Sequence, residues 1–201
     1  MTLSRLRGCF QSAGHDSPDI WVRTDGQVLE LVGLPLVETD YRALASCLAD
    51  ADKARRNGHP TEMINCLARA VAMWRGDAFA DLDAIEQLIP EVQRVRNALV
   101  GACLRLGELR LAAGQLDDAA GCAERARDAS PYSERAHRLA IACALHRSDR
   151  ADLLTAVRAL EMMVRELDIV PEPTTSMLLR RALARIGSRP AQAPRPGLRS
   201  L

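Results

Sequence analysis

"LRLGELRLAAGQLDDAAGCAERARDASP", residues 104–131, decides the fold of this chain. Leu106, Leu109 and Ala113 recur at spacings of three and four, the period of one face of a helix, and Gly114 stops the run. Leu116 restarts it, and Ala119, Ala123 and Ala126 keep the same rhythm until Ser130-Pro131 ends it. The stretch therefore predicts two helices joined by a turn at a single glycine. Gly107 in the first helix and the alanines in the second are small enough to let the two backbones approach closely.

Upstream, Val92, Val95, Leu99 and Ala102 continue the alternation of threes and fours, so the first of these helices is expected to run from Glu86 to Ala113. Such a seam would also suit a coiled coil. It spans barely three heptads and shorter helices follow at once, which favours a partner within the same chain. Further helices are expected over Asp40–Asn57, Pro60–Trp74, Leu116–Asp128, Ser133–His146 and Ala151–Leu167, each bounded by Gly, Pro or Ser signals. A last one begins near Thr174 and carries Met177, Leu178, Ala182, Leu183 and Ile186 on one stripe. The fold class expected is all-α, a stack of about seven helices in hairpin pairs.

Helical pairs recurring at about 34 residues resemble tetratricopeptide repeats. With Pro131 set at the closing proline, Leu106-Gly107 takes the Leu-Gly position of the first helix, and Ala119, Ala123 and Ala126 take the small positions of the second. Residues 100–133 fit this pattern well. Residues 134–167 fit more loosely, with the closing proline delayed to Pro171, and 40–74 fit by helix pattern only.

The beginning of the chain reads differently. "TLSRLRGCFQ" is a short helical fragment, and "IWVRTDGQVLELV" places two apolar runs around Asp25-Gly26, a strong hairpin signal. After Gly187 the tail "SRPAQAPRPGLRS" is rich in Pro and Arg with little to bury, which predicts disorder.

Composition narrows the classes. Hydrophobic residues make up 48% of the 201 and aromatics only 3%, so Ala and Leu must fill the core, as in close-packed helices. The formal charge of +1 provides no global field for nucleic acid or membrane, so any DNA contact would have to be local. No apolar run approaches the length of a spanning helix and no signal peptide is visible, which predicts a cytoplasmic protein. Cysteines 9, 47, 66, 103, 122 and 143 form no CxxC pair and are expected as buried free thiols.

Two motifs in order carry a family resemblance. "AVAMWRGDAFADL" closes the first helix pair, and "RELDIVPEPTTSMLLRRAL" precedes and opens the last helix. Together they resemble the bacterial transcriptional activator domain of SARP-type regulators of actinobacteria. Trp74, Arg75 and Gly76 match the family's Leu-Trp-Arg-Gly stretch, with Phe79 following it, and Met73 stands for the leucine. Glu166, Leu167, Ile169, Pro171 and Pro173 match its E-L-G-I-x-P-x-P segment, with Asp168 in place of the glycine. The resemblance covers about residues 38–187. It also makes residues 1–37 similar to the end of an OmpR-like winged helix, its recognition-helix end and wing hairpin, and leaves 188–201 as a tail.

From that resemblance follow the functional expectations. The chain would be a regulatory and protein-interaction module, working by dimerisation, interdomain signalling or contact with RNA polymerase. DNA would be touched only by a completed winged helix, with Arg5 and Arg7 from the recognition helix and Arg23 and Thr24 from the wing. A partner groove on the first helices of the repeats would be lined by Arg105, Glu108, Arg110, Glu134 and Arg138. The alternative is a stand-alone tetratricopeptide scaffold that binds a peptide or partner protein outside transcription.

Other readings are weaker. Arg75-Gly76-Asp77 is a three-residue adhesion match with nothing to suggest export. His137, Cys143 and His146 lack a fourth ligand and paired cysteines, so a core Cys beside surface histidines is expected and no metal or other cofactor is assigned. No phosphate-cradling loop, GxSxG elbow or HExxH is present, and Asp117, Asp118 and Glu161 read as helix-face charges, so no catalysis is expected. Trp74 is expected to end the second helix and Phe79 and Leu82 to plug the gap before the long helix, with Trp74→Ala costing about 3–5 kcal/mol.

Overall fold

The computed structural model describes residues 21–25, 28–32, 39–76, 86 and 89–187. Two compact units divide inside a helix, between Ala45 and Ser46. In the first, strands β1 (Trp21–Asp25) and β2 (Val28–Val32) pair antiparallel, from Trp21 opposite Val32 to Asp25 opposite Val28. The expected hairpin is formed. Its two turn residues, 26 and 27, and the expected first helix lie outside the described residues, as does the tail from 188.

Seven helices are described: α1 (Asp40–Arg56), α2 (Pro60–Ala72), α3 (Ile89–Ala112), α4 (Leu116–Ala129), α5 (Glu134–Arg147), α6 (Arg150–Leu167) and α7 (Pro173–Gly187). From α2 onward each packs on its neighbour, with α3 also reaching α5 and α5 reaching α7. That next-but-one contact turns a chain of hairpins into a stack, because the first helices of successive pairs line up side by side. The protein is all-α in its described body, a tetratricopeptide-like helical stack.

Local chemistry explains the boundaries. Pro60 and Pro173 open α2 and α7, where a missing amide hydrogen costs nothing. Ser133 caps α5 by accepting from the Ala136 amide at 3.3 Å, and Asp149 caps α6 from the Ala151 and Asp152 amides at 2.8 and 3.1 Å. Three helices end in one shared way. Gly58, Gly114 and Asp168 all take left-handed backbone, and the following amide reaches back five residues, to Ala54, Arg110 and Val164. Asp168, with φ of 50°, occupies the position where the family pattern has glycine.

The core is built in two styles. Between α3 and α4 the contact is made by small residues: Gly107 faces Ala119, Cys122 and, from α5, Leu139, while Ala123 and Ala126 are fully buried. A Cβ added at Gly107 would lie 2.6 Å from Leu139 Cδ2 and 3.0 Å from Cys122 Cβ, so only glycine fits without displacement. Among α5, α6 and α7 the core is aliphatic instead, with Ile141, Leu153, Val157, Leu160 and Met163 packed together around Ala182. Cys47, Cys66, Cys103, Cys122 and Cys143 are buried free thiols, as expected. Burial pushes the Cys103 thiol up to about 12, which keeps it protonated and unreactive.

Two packing expectations need correcting. On α7 Met177 and Leu183 are exposed, and the buried stripe is Thr175 and Ala182 with Leu178, Leu179 and Ile186 half-buried beside them. His137 is not a surface histidine but 5% exposed: its ring Nε2 donates to the Pro131 carbonyl at 2.9 Å.

Candidate partner-binding face

The five residues predicted to line a groove all lie on α3 and α5, and each is engaged across helices or along its own. Arg105 on α3 donates to Asp52 on α1 at 2.7 Å, which holds the Asp52 carboxyl below the usual carboxylate range. Glu108 on α3 accepts both arms of Arg135 on α5, at 2.8 and 2.7 Å. Arg110 lies 3.7 Å from Cys122 Sγ and 3.9 Å from Asp118 on α4.

On α5, Arg138 reaches α7 by donating to Thr175 Oγ1 at 2.8 Å and to Glu172 just ahead of that helix at 2.5 Å. Glu134 completes the clamp by accepting the Glu172 amide at 2.8 Å. Thr175 has no exposed surface, so this hydroxyl contact is made inside the stack.

The arrangement joins the first helices of successive pairs edge to edge, α1 to α3, α3 to α5, and α5 to α7. Exposed pairs of this kind contribute about 0–1 kcal/mol each, so their effect is on alignment more than on stability. Sequence reasoning missed the partners Asp52, Arg135, Glu172 and Thr175. A signal existed for some of them. Arg138 and Glu172 are 34 residues apart, as are Tyr132 and Glu166, which pair through the phenol at 2.7 Å. Opposite polar groups one repeat length apart were the clue.

The motif residues fall at corners. Trp74 lies just beyond α2, partly buried, with the Arg125 guanidinium 5.7 Å from its ring centroid. Arg125 also donates to the Trp74 carbonyl at 2.6 Å, tying the corner to α4. Arg75 and Gly76 are exposed, and Phe79 and Leu82 lie outside the described residues. Leu106 and Gly107 are buried in the α3–α4 crossing. Pro131 provides the carbonyl that holds His137, Pro171 accepts the Ser176 hydroxyl at 3.4 Å, and Pro173 begins α7.

Of the predicted DNA contacts, Arg5 and Arg7 lie outside the described residues. Arg23 and Thr24 stand on β1 opposite Glu30 and Leu29. The charges expected as solvated helix faces include one that bridges: Asp117 on α4 accepts from Arg147 on α5 at 2.6 Å, and Arg147 also holds Asp152 on α6 at 3.2 Å. Among the described residues no group of three His, Cys, Asp or Glu side chains could hold a metal ion, and no helix is long and apolar enough to cross a membrane.

Helical hairpins stacked through their first helices define a tetratricopeptide-like helical module. Residues 39–183 match the bacterial transcriptional activator domain, and the chain belongs to that family. Its fold is similar to that of "Mycobacterium tuberculosis EmbR in complex with low affinity phosphopeptide", with a TM-score of 0.67 and 22% identity over 93% of this chain and 49% of that one. The chain thus spans about half the length of that structure. No curated protein matches it.

Proposed function

We propose that this chain is the regulatory helical module of a bacterial transcriptional regulator, and that it works by binding protein. The stack formed by α1, α3, α5 and α7 holds a partner, which is a second copy, another domain of the regulator or RNA polymerase. The match of residues 39–183 to the activator-domain family carries this reading. The polar ties between successive first helices support it, because a surface of fixed curvature binds without the cost of ordering loops. EmbR, of which this chain matches about half, was solved with a phosphopeptide, which is in keeping with a protein partner for the fold.

The boundaries that go with this reading are 1–37 for a winged-helix segment, 38–187 for the activator domain and 188–201 for a tail. Arg5, Arg7, Arg23 and Thr24 would serve DNA contact only where the winged helix is complete. A two-hybrid matrix of the 201-residue chain against itself, a winged-helix domain and the RNA polymerase subunits tests the proposal. At least one pairing should give a signal that Arg135→Glu weakens and Arg135→Glu with Glu108→Arg restores. A blank matrix, or signals indifferent to the misaligned stack, would overturn it.

A further inference from the structure

The charge of the chain is unevenly distributed. Residues 173–201 hold Arg180, Arg181, Arg185, Arg189, Arg195 and Arg199 and no Asp or Glu. The whole chain carries +1, so this final stretch is +6 and the preceding 172 residues are −5. Such asymmetry is a concentration of positive charge along the sequence that the net charge conceals.

The structure places part of that charge in a defined seat. Arg181 and Arg185, one turn apart on α7, line an open hollow of about 420 Å³ whose other walls are Leu145 and Ser148 at the end of α5 and Ala184. No acidic side chain lines it. The neighbouring carboxylate in sequence, Asp149, is turned onto the Ala151 and Asp152 amides to cap α6. Several interhelical arginines elsewhere in the stack are matched: Arg105 by Asp52, Arg135 by Glu108, Arg138 by Glu172 and Arg147 by Asp117. Arg181 and Arg185 have no such match among the described residues. Their separation, about 5–6 Å between Cβ atoms for residues a helical turn apart, suits two forks gripping adjacent anionic groups.

We propose that Arg181 and Arg185 form a phosphate seat for the backbone of duplex DNA, a contact independent of sequence and separate from any winged helix. A polyanion is the occupant the charge distribution favours, because six arginines in 29 residues exceed what one carboxylate or one free phosphate would neutralise. The role is to hold the helical module against the duplex beside the site that other parts of the regulator read. Backbone contacts position a protein without selecting a base.

The test is fluorescence anisotropy of the 201-residue chain on a labelled duplex of arbitrary sequence, titrated between about 50 and 200 mM salt, where each neutralised phosphate contributes about 0.9 to the logarithmic slope. Arg181→Gln with Arg185→Gln should flatten that slope by about 1.8 and weaken binding about tenfold at the lower salt. Arg56→Gln with Arg69→Gln removes the same charge from α1 and α2 and should leave the slope unchanged, and circular dichroism should show both doubles folded. Polyglutamate serves as the second probe and should bind more weakly than the duplex. The proposal is overturned by no duplex binding, by equal loss in the two doubles, or by arginine-dependent binding of polyglutamate in preference to DNA. Arg5→Gln with Arg7→Gln separates this seat from the amino-terminal segment: loss there alone would also overturn it.

Discussion

The α3–α4 crossing and the α5–α6–α7 core hold helices together by opposite means. The first brings backbones close through Gly107, Ala119 and Ala123, and its tolerance is set by what cannot be added. The second interlocks Ile141, Leu153, Val157, Leu160 and Met163, and its tolerance is set by what cannot be removed. One stack thus has a seam sensitive to overpacking and another sensitive to cavities. Stability lost at either loosens the surface that the ion pairs align.

Truncation in the aliphatic core should have the largest effect. Leu160 is fully buried, and Leu160→Ala should cost about 3–4 kcal/mol in denaturant unfolding, since the transfer loss and the cavity add. A cost below about 1 kcal/mol would mean that this core collapses freely and the contrast between the seams is false.

At the close crossing the reverse change matters. Gly107→Val should cost about 2–3 kcal/mol, because Cys122 Cβ and the Ala119 carbonyl cannot both retreat. Six residues earlier on the same helix, Gly101 has open space around its missing Cβ, so Gly101→Ala should stabilise by up to about 1 kcal/mol through helix propensity alone. The two signs, measured in one set of melts, separate contact from propensity. Equal effects at both glycines would break the comparison.

His137 lies where the two regions meet, on α5 and held to the α4–α5 turn. Burial, with Arg127 adding to it, lowers its affinity for a proton, against a smaller opposing pull from the Pro131 carbonyl. The folded chain then binds fewer protons than the unfolded one. Its stabilising contribution is full above the free-histidine value near ~6.5 and is lost as pH falls through that value towards the lower folded one. The melting temperature should therefore drop more steeply between about pH 7 and 5 in the wild type than in His137→Gln. Parallel profiles would show that His137 does not titrate with folding.

The smallest effect concerns the aliphatic side. Asp168 pays the steric cost of left-handed backbone and puts a carboxylate at a helix carboxyl end, where the dipole disfavours it. Asp168→Gly should stabilise by about 0.5–1 kcal/mol, read as a rise in melting temperature. A fall would mean that the Asp side chain makes a compensating contact.

How legible each region was follows from the same contrast. The α3 seam was readable because Val95, Leu99, Ala102 and Leu106 keep one register and all are buried. Small residues in the α4 positions announced the close crossing directly. The last helix was harder, since Met177, Leu178, Leu179 and Leu183 leave it apolar on more than one side. What turns Thr175 inward is Arg138 reaching from α5, a partner 37 residues away that no local period reveals. Trp74, expected as a large buried aromatic, is partly exposed and covered by Arg125, so its truncation should cost about 2 kcal/mol rather than the full value for a buried aromatic. The candidate groove residues are polar positions on α3 and α5. Their engagement with neighbouring helices could be seen only once the repeats were stacked.

The proposed role of residues 39–183 is that of the working module of a transcriptional regulator. Transcription in vitro from the regulator's own promoter, with purified RNA polymerase and with those residues either present or deleted, tests it most directly. The deleted form should occupy the promoter in footprints yet yield transcript near the unactivated level. Full activation without residues 39–183 would contradict the account.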